Sequence, residues 1–160
     1  MTDDIELRPG GPDDAAELGA LYAASVHGLA ADHYSERQRN AWAPRSPSVE
    51  HWRRRLEPLR VLVATRDGRA MGFIAWTDEG YVDLLYTHPD AARTGVATRL
   101  MEALEADIAT KGATRLWAKA SELSRPFFAT RGFERVGEEL IEVRGERLRS
   151  HLMERRLEAP

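Results

Sequence analysis

From Leu84 to Met101 an apolar stretch passes through a turn at His88-Pro89-Asp90 into a loop of small residues, and the loop runs straight into an amphipathic helix. Such a helix start offers backbone N–H groups that have no intrahelical acceptor and that point along the positive end of the helix dipole. Gly95 and Ala97 place no bulky side chain in front of those donors, so a diphosphate can approach the backbone closely. Taken alone, Gly95 also fits a bare strand-to-helix turn, and the surrounding order of elements has to decide between the two.

Other chemistries find less support. The chain has no cysteine, which removes disulfides, thiolate nucleophiles and thiolate-ligated zinc together. The five histidines, His27, His33, His51, His88 and His151, form no HxH or HxxxH pair that would set two imidazoles on one metal, so no metal is expected. With 23 basic and 26 acidic side chains intermixed and a formal net charge of −3, no basic field exists to hold a nucleic-acid backbone. No stretch of about eighteen consecutive apolar residues occurs, and the acidic start lacks the pattern of a signal peptide, so a cytoplasmic protein without membrane contact is expected.

The elements that must position the loop follow from periodicity. Ile5 to Arg8 alternates as a short strand and is expected to stop at Pro9-Gly10-Gly11. Pro12-Asp13-Asp14 opens a helix whose buried face, Leu18, Leu21, Tyr22, Ser25 and Val26, extends to about Gly28. Tyr34 to Trp42 predicts a second helix ended by Pro44 and Pro47, its aromatics beside polar groups making it a candidate pocket wall. Ser48 to Leu56 predicts a short basic helix, with Arg53-Arg54-Arg55 as a solvated face or, alternatively, as a cationic aid to an acidic acceptor or an adenosine 3′-phosphate.

A meander follows over 60–66, 70–76 and 81–87, with Asp67-Gly68 as a hairpin turn. The loop helix runs from about Gly95 to Thr110, with Val96, Leu100, Leu104 and Ile108 at helical spacing and Lys111-Gly112 ending it. Thr114 to Ala118 predicts a strand, Glu122 to Thr130 a short helix, and 133–143 with 148–156 a final hairpin. Strands in a run with helices inserted imply a mixed sheet, and the length implies one domain over 1–160.

With these elements in place, the sequence resembles the GNAT superfamily of N-acyltransferases. The pyrophosphate loop of that family reads Gln/Arg-x-x-Gly-x-Gly/Ala between a strand and a helix, and Gly95-Val96-Ala97 fit it, with Arg93, Thr94 and Thr98 as further donors. A second match is the stretch from Arg125 to Phe133, where a short helix is followed by Gly132-Phe133. The order of elements matches over nearly the whole chain, and the specific motifs lie between about Val61 and Phe133.

The resemblance implies an α/β fold, a mixed and largely antiparallel sheet with helices on both faces, holding acetyl-CoA as co-substrate in a cleft between two central strands. It implies that backbone groups of Leu85-Tyr86-Thr87 align the pantetheine and thioester. Ser121 corresponds to an Asn near the start of the second helix, and Phe128 to a Tyr that many members use as general acid. Phe128 cannot donate a proton, and Ala92 stands where the loop usually begins with Gln or Arg.

The implied reaction is acetyl transfer to a primary amine of a small molecule or a protein, which needs an acceptor for the amine proton. Asp83 and Tyr81 share a strand face by alternation, and Asp83 is the better acceptor near neutral pH, although it serves equally well as a turn cap or an arginine partner. His33, Tyr34 and Trp42 are the acceptor-pocket candidates, with His27 and His33 also explicable as core-edge histidines. The rival reading is a catalytically weak acyl-CoA-binding regulatory module of the same fold, suggested by Ala92 and Phe128. A second copy of the chain is a candidate partner.

Overall fold

The computed structural model describes residues 4–157. The outermost residues of the expected 1–160 domain, 1–3 and 158–160, lie outside the described residues. In chain order the elements are β1 (Glu6–Gly10), α1 (Ala15–Leu29), α2 (Glu36–Trp42), α3 (Val49–Leu56), β2 (Arg60–Arg66), β3 (Arg69–Trp76), β4 (Tyr81–Thr87), α4 (Val96–Ala109), β5 (Arg115–Ala120), α5 (Arg125–Thr130), β6 (Glu134–Val143) and β7 (Glu146–Arg156).

The seven strands form one sheet in the order β1-β2-β3-β4-β5-β7-β6. Every neighbouring pair is antiparallel except β4 and β5, which run parallel. Helices α1 to α3 cover one face, where Leu18, Leu21, Tyr22, Trp52 and Leu56 pack on Val61, Val63, Phe73 and Leu84. The other face carries α4 and α5, with Leu100, Leu104, Ile108 and Phe128 packed on Ile74, Val82, Leu116 and Met153. Helices α1 and α4 thus each bury an apolar face against the sheet, the arrangement that the spacing of their apolar residues requires.

Capping explains the helix starts. Ser35 accepts the Gln38 N–H at 3.1 Å and the Gln38 side chain accepts the Ser35 N–H at 2.9 Å, a reciprocal box at the head of α2. Ser48 does the same in one direction for α3, accepting from His51 at 3.2 Å. The expected stop of β1 at Pro9 does not occur, because β1 is an edge strand that runs on to pair Pro9 with Leu62 and Gly10 with Val61. An edge strand tolerates proline, and a Cβ on Gly10 would come within 2.8 Å of Val63 Cγ2, which explains the close approach there. The helix expected from Glu122 begins only at Arg125, since Ser121 and Ser124 form a turn of their own ahead of Pro126.

Two irregularities open the centre of the sheet. Strands β4 and β5 pair only at Tyr81 with Trp117 and at Val82 with Ala118, then diverge. On the other side of β4 the register shifts between Ala75 and Trp76, so that Ala75 faces Leu84, Trp76 faces Val82 and Asp83 is skipped. This bulge turns Leu84 toward α1 while Val82 packs toward α4.

Candidate active site between the central strands

The divergence of β4 from β5 leaves a cleft of about 670 Å³. Leu85, Tyr86 and Thr87 of β4 line one wall, and Ala118 to Ser121, with Phe127 and Phe128 of α5, line the other. Beyond Val82 the β5-facing edge of β4 has no strand partner among the described residues, so its backbone groups face the cleft.

At one end the cleft reaches Ala92, Arg93 and Ala97. Gly95 caps α4 in the left-handed region, with φ of 88°, and a Cβ built on it would meet nothing within 4 Å. Arg93 also has a positive φ, of 60°, so the loop curls twice before the helix begins. The first α4 turn closes with the Arg99 N–H on the Gly95 carbonyl at 3.0 Å, leaving the amides of Val96, Ala97 and Thr98 ahead of it. Val96 is 1% exposed, so only its backbone serves the loop. The Thr94 hydroxyl donates to the Ala91 carbonyl at 2.5 Å and holds the curl in place. An open space before several free amides, with an exposed arginine beside it, fits a diphosphate.

Tyr81 and Asp83 both line the cleft at the point where the strands part. The Tyr81 ring lies 5.5 Å from that of Trp117, and burial pushes its phenol pKa up. Asp83 pairs with the Arg55 guanidinium, 3.8 Å away. Arg55 in turn lies over the rings of Trp52 and Tyr22, at 5.2 and 5.7 Å. The solvated arginine face expected on α3 is therefore only partly correct. Arg53 and Arg54 are exposed beside Glu50, whereas Arg55 turns inward because it follows Trp52 by three residues, on the helix's buried side. That spacing was the signal for a site residue that composition alone hides.

Phe128 is 3% exposed and packs edge-on against Phe127 and Phe133, at ring distances of 5.9 and 5.0 Å. Ser121 and Ser124 exchange hydrogen bonds, each hydroxyl accepting the other residue's N–H at 3.0 to 3.1 Å. Next to them the Glu122 N–H donates to the Tyr34 hydroxyl at 2.8 Å. The Glu122 carboxylate meets Nε2 of the buried His151 at 2.7 Å, a contact that holds its pKa below the usual carboxylate value. Neither Glu122 nor His151 stands out in the sequence, since their partners lie 88 and 29 residues away.

The structure brings His33, Tyr34 and Trp42 to the same cleft, His33 exposed and the two aromatics largely covered. His27 does not join them, because its Nε2 lies 2.7 Å from the Ala43 carbonyl and pins the chain after α2. Tyr22 and Tyr86 complete the aromatic wall at a ring distance of 4.5 Å. Burial raises the Tyr86 phenol well above its ordinary pKa, and its ring packs against those of Tyr22 and Trp42. Among the described residues no group of three His, Asp or Glu side chains could hold a metal, and no helix is long and apolar enough to cross a membrane.

Residues 30–155 match the family model described as an acetyltransferase (GNAT) domain. The chain is 34% identical to YafP of Escherichia coli K12, named an uncharacterized N-acetyltransferase, over 88% of this chain and 89% of that one. A crystal structure named as a GCN5-related N-acetyltransferase from Rhodopseudomonas palustris superposes with a TM-score of 0.91 at 35% identity, covering 98% of each chain. The structure of YncA from Salmonella typhimurium, named a putative acetyltransferase with its cofactor acetyl-CoA, shares the fold with a TM-score of 0.70 at 18% identity, covering 99% of this chain and 96% of that one.

Proposed function

We propose, from the premise that this chain belongs to the GNAT acetyltransferase family, that it moves the acetyl group of acetyl-CoA to a primary amine that enters the cleft from the α1–α2 side. The observation that carries the reading is the parting of β4 and β5 after Val82, directly ahead of the curled loop and the α4 N-terminus.

The residues present fit acetyl-CoA. The amides of Gly95 to Thr98, with Arg93, would hold its diphosphate, and the free edge of β4 at Leu85 to Thr87 would align its pantetheine arm. When bound, acetyl-CoA supplies an activated thioester carbonyl. The chain's part is to position that carbonyl by backbone N–H groups and to keep the acceptor amine unprotonated.

Asp83 is the proposed proton acceptor, directly or through a water, with Tyr81 beside it. The bulge places its carboxylate at the mouth of the divergence, and Arg55 holds that carboxylate from the side. Ser121 shapes the opposite rim, and Phe128 closes it with carbon only. A thiolate whose parent thiol has an unperturbed pKa of about 8.5 is a tolerable leaving group, so turnover does not require a donor at position 128.

Phe128 also favours a second reading, a module that binds acyl-CoA without efficient turnover. Thiol release from acetyl-CoA in the presence of a mixed amine panel separates the two, since the module binds and releases nothing. The proposal takes the chain as one catalytic domain acting in the cytoplasm, with a second copy of the chain as a candidate partner.

A further inference from the structure

We infer that the acceptor end of the cleft is built for a small primary amine with an aromatic body, an arylalkylamine, and against polyamines and basic peptides. The inference rests on the acetyltransferase reading above and names its substrate class.

Four rings line that end, those of Tyr22, Tyr34, Trp42 and Tyr86. They form a continuous chain of contacts, Tyr34 to Trp42 at 5.2 Å, Trp42 to Tyr86 at 6.4 Å and Tyr86 to Tyr22 at 4.5 Å. The polar end of Tyr34 is engaged within the protein, its hydroxyl accepting from the Glu122 amide at 2.8 Å. Ring faces and edges are left toward the cleft, with the apolar side chains of Leu29 and Leu148 beside them. A flat ring gains from such a wall by offset or edge contact and by shedding water, and the wall is already ordered, so little freedom is lost on binding.

Charge narrows the class further. The cleft is lined by Arg55, Arg93, Lys119 and Arg149 against one carboxylate, Asp83. Near its rim Glu139 pairs with Lys119 at 3.3 Å, Glu138 with Arg149 at 3.8 Å and Glu122 with His151 at 2.7 Å. A single amino group can reach Asp83, and Arg55 beside it favours the neutral, nucleophilic form of that amine. A second ammonium, as in a polyamine or a lysine-rich peptide, finds no further carboxylate among the described residues that line the cleft. The far wall is also fastened shut against a long chain. Arg144 donates to the Ala41 carbonyl at 2.6 Å and Gln38 to the Arg147 carbonyl at 3.1 Å, tying α2 to the β6–β7 hairpin.

The test uses the full chain with acetyl-CoA and compares phenethylamine and tryptamine with putrescine, spermidine and a lysine peptide. Turnover is followed together with binding of each amine to the CoA-saturated protein by tryptophan fluorescence. The expected result is tightest binding and highest kcat/KM for the arylalkylamines. In Trp42→Ala their kcat/KM falls at least about tenfold through KM, the scale of a lost apolar pocket contact, with a smaller fall for methylamine and recovery in Trp42→Phe. Preference for a polyamine or the peptide overturns the inference, as does an equal fall for every amine in Trp42→Ala. Should Trp42→Ala not fold, the wild-type preference and Trp42→Phe still decide. Acetyl-CoA binding in the same samples keeps two failures apart: retained binding without an aryl preference overturns this inference alone, whereas lost binding overturns the reading it rests on.

Discussion

The Tyr34 hydroxyl accepts the backbone N–H of Glu122 at 2.8 Å, so the loop between α1 and α2 is bolted to the loop that carries Ser121 into α5. Tyr34→Phe keeps the ring against Trp42 but strands a covered N–H, which costs about 1–3 kcal/mol. Thermal melting should drop by several degrees at this chain length. A melting temperature equal to wild type would show that water takes the place of the hydroxyl and that the bolt contributes nothing.

The carboxylate of the same residue predicts a pH effect. His151 holds the Glu122 pKa below its ordinary value of 4.5 in the folded protein. A carboxylate whose folded pKa is depressed stabilises the fold above the unfolded value, and that contribution is lost as pH falls through the folded value. Glu122→Gln should therefore melt below wild type at neutral pH, and the gap should close as pH drops below the ordinary carboxylate range. Melting curves across that range check it, and a gap that stays constant would remove the Glu122–His151 pair as its source.

For Asp83 the prediction is kinetic. Asp83→Asn should lower turnover by about 10²- to 10⁴-fold near neutral pH, the usual contribution of a positioned base. The loss should shrink at alkaline pH, where more of the amine is free, while acetyl-CoA affinity stays near wild type. A wild-type rate at every pH would take Asp83 out of the mechanism and leave Tyr81, Tyr34 or a water.

The loop predicts a separable effect on the donor. Gly95→Glu puts a side chain where φ is 88° and an anion where the diphosphate would sit, so acetyl-CoA binding should disappear from a protein that still folds. Arg93→Ala should weaken binding mildly, and its penalty should shrink as salt rises, because an exposed charge is screened. Calorimetric titration at two ionic strengths reads both, and unchanged affinity in folded Gly95→Glu would place the phosphates elsewhere.

Local patterns reported local structure well. Asp67-Gly68, Lys111-Gly112 and the apolar spacing of the loop helix each mark a turn, an end or a face that the fold realises, because their causes lie within a few residues. The strand order, with β7 inserted between β5 and β6, carries no local signal, since it depends on pairing between distant segments. Alternation placed Tyr81 and Asp83 on one face but could not foresee the bulge that follows, which only the β3 register reveals. In the candidate site, the turn at Gly95 into α4 was legible because a glycine ahead of an amphipathic run has a conformational meaning of its own. The inward turn of Arg55 and the link from Glu122 to Tyr34 were not, since both arise from contacts between distant segments.

The most direct test of acetyl transfer is one assay on the purified chain: acetyl-CoA with an amine panel, thiol release followed continuously, and products identified by mass. The account predicts amine-dependent thiol release, with an N-acetylated product in equal amount. Saturable acetyl-CoA binding with no thiol released and no acetylated product from any amine would contradict it and leave the chain a binding module.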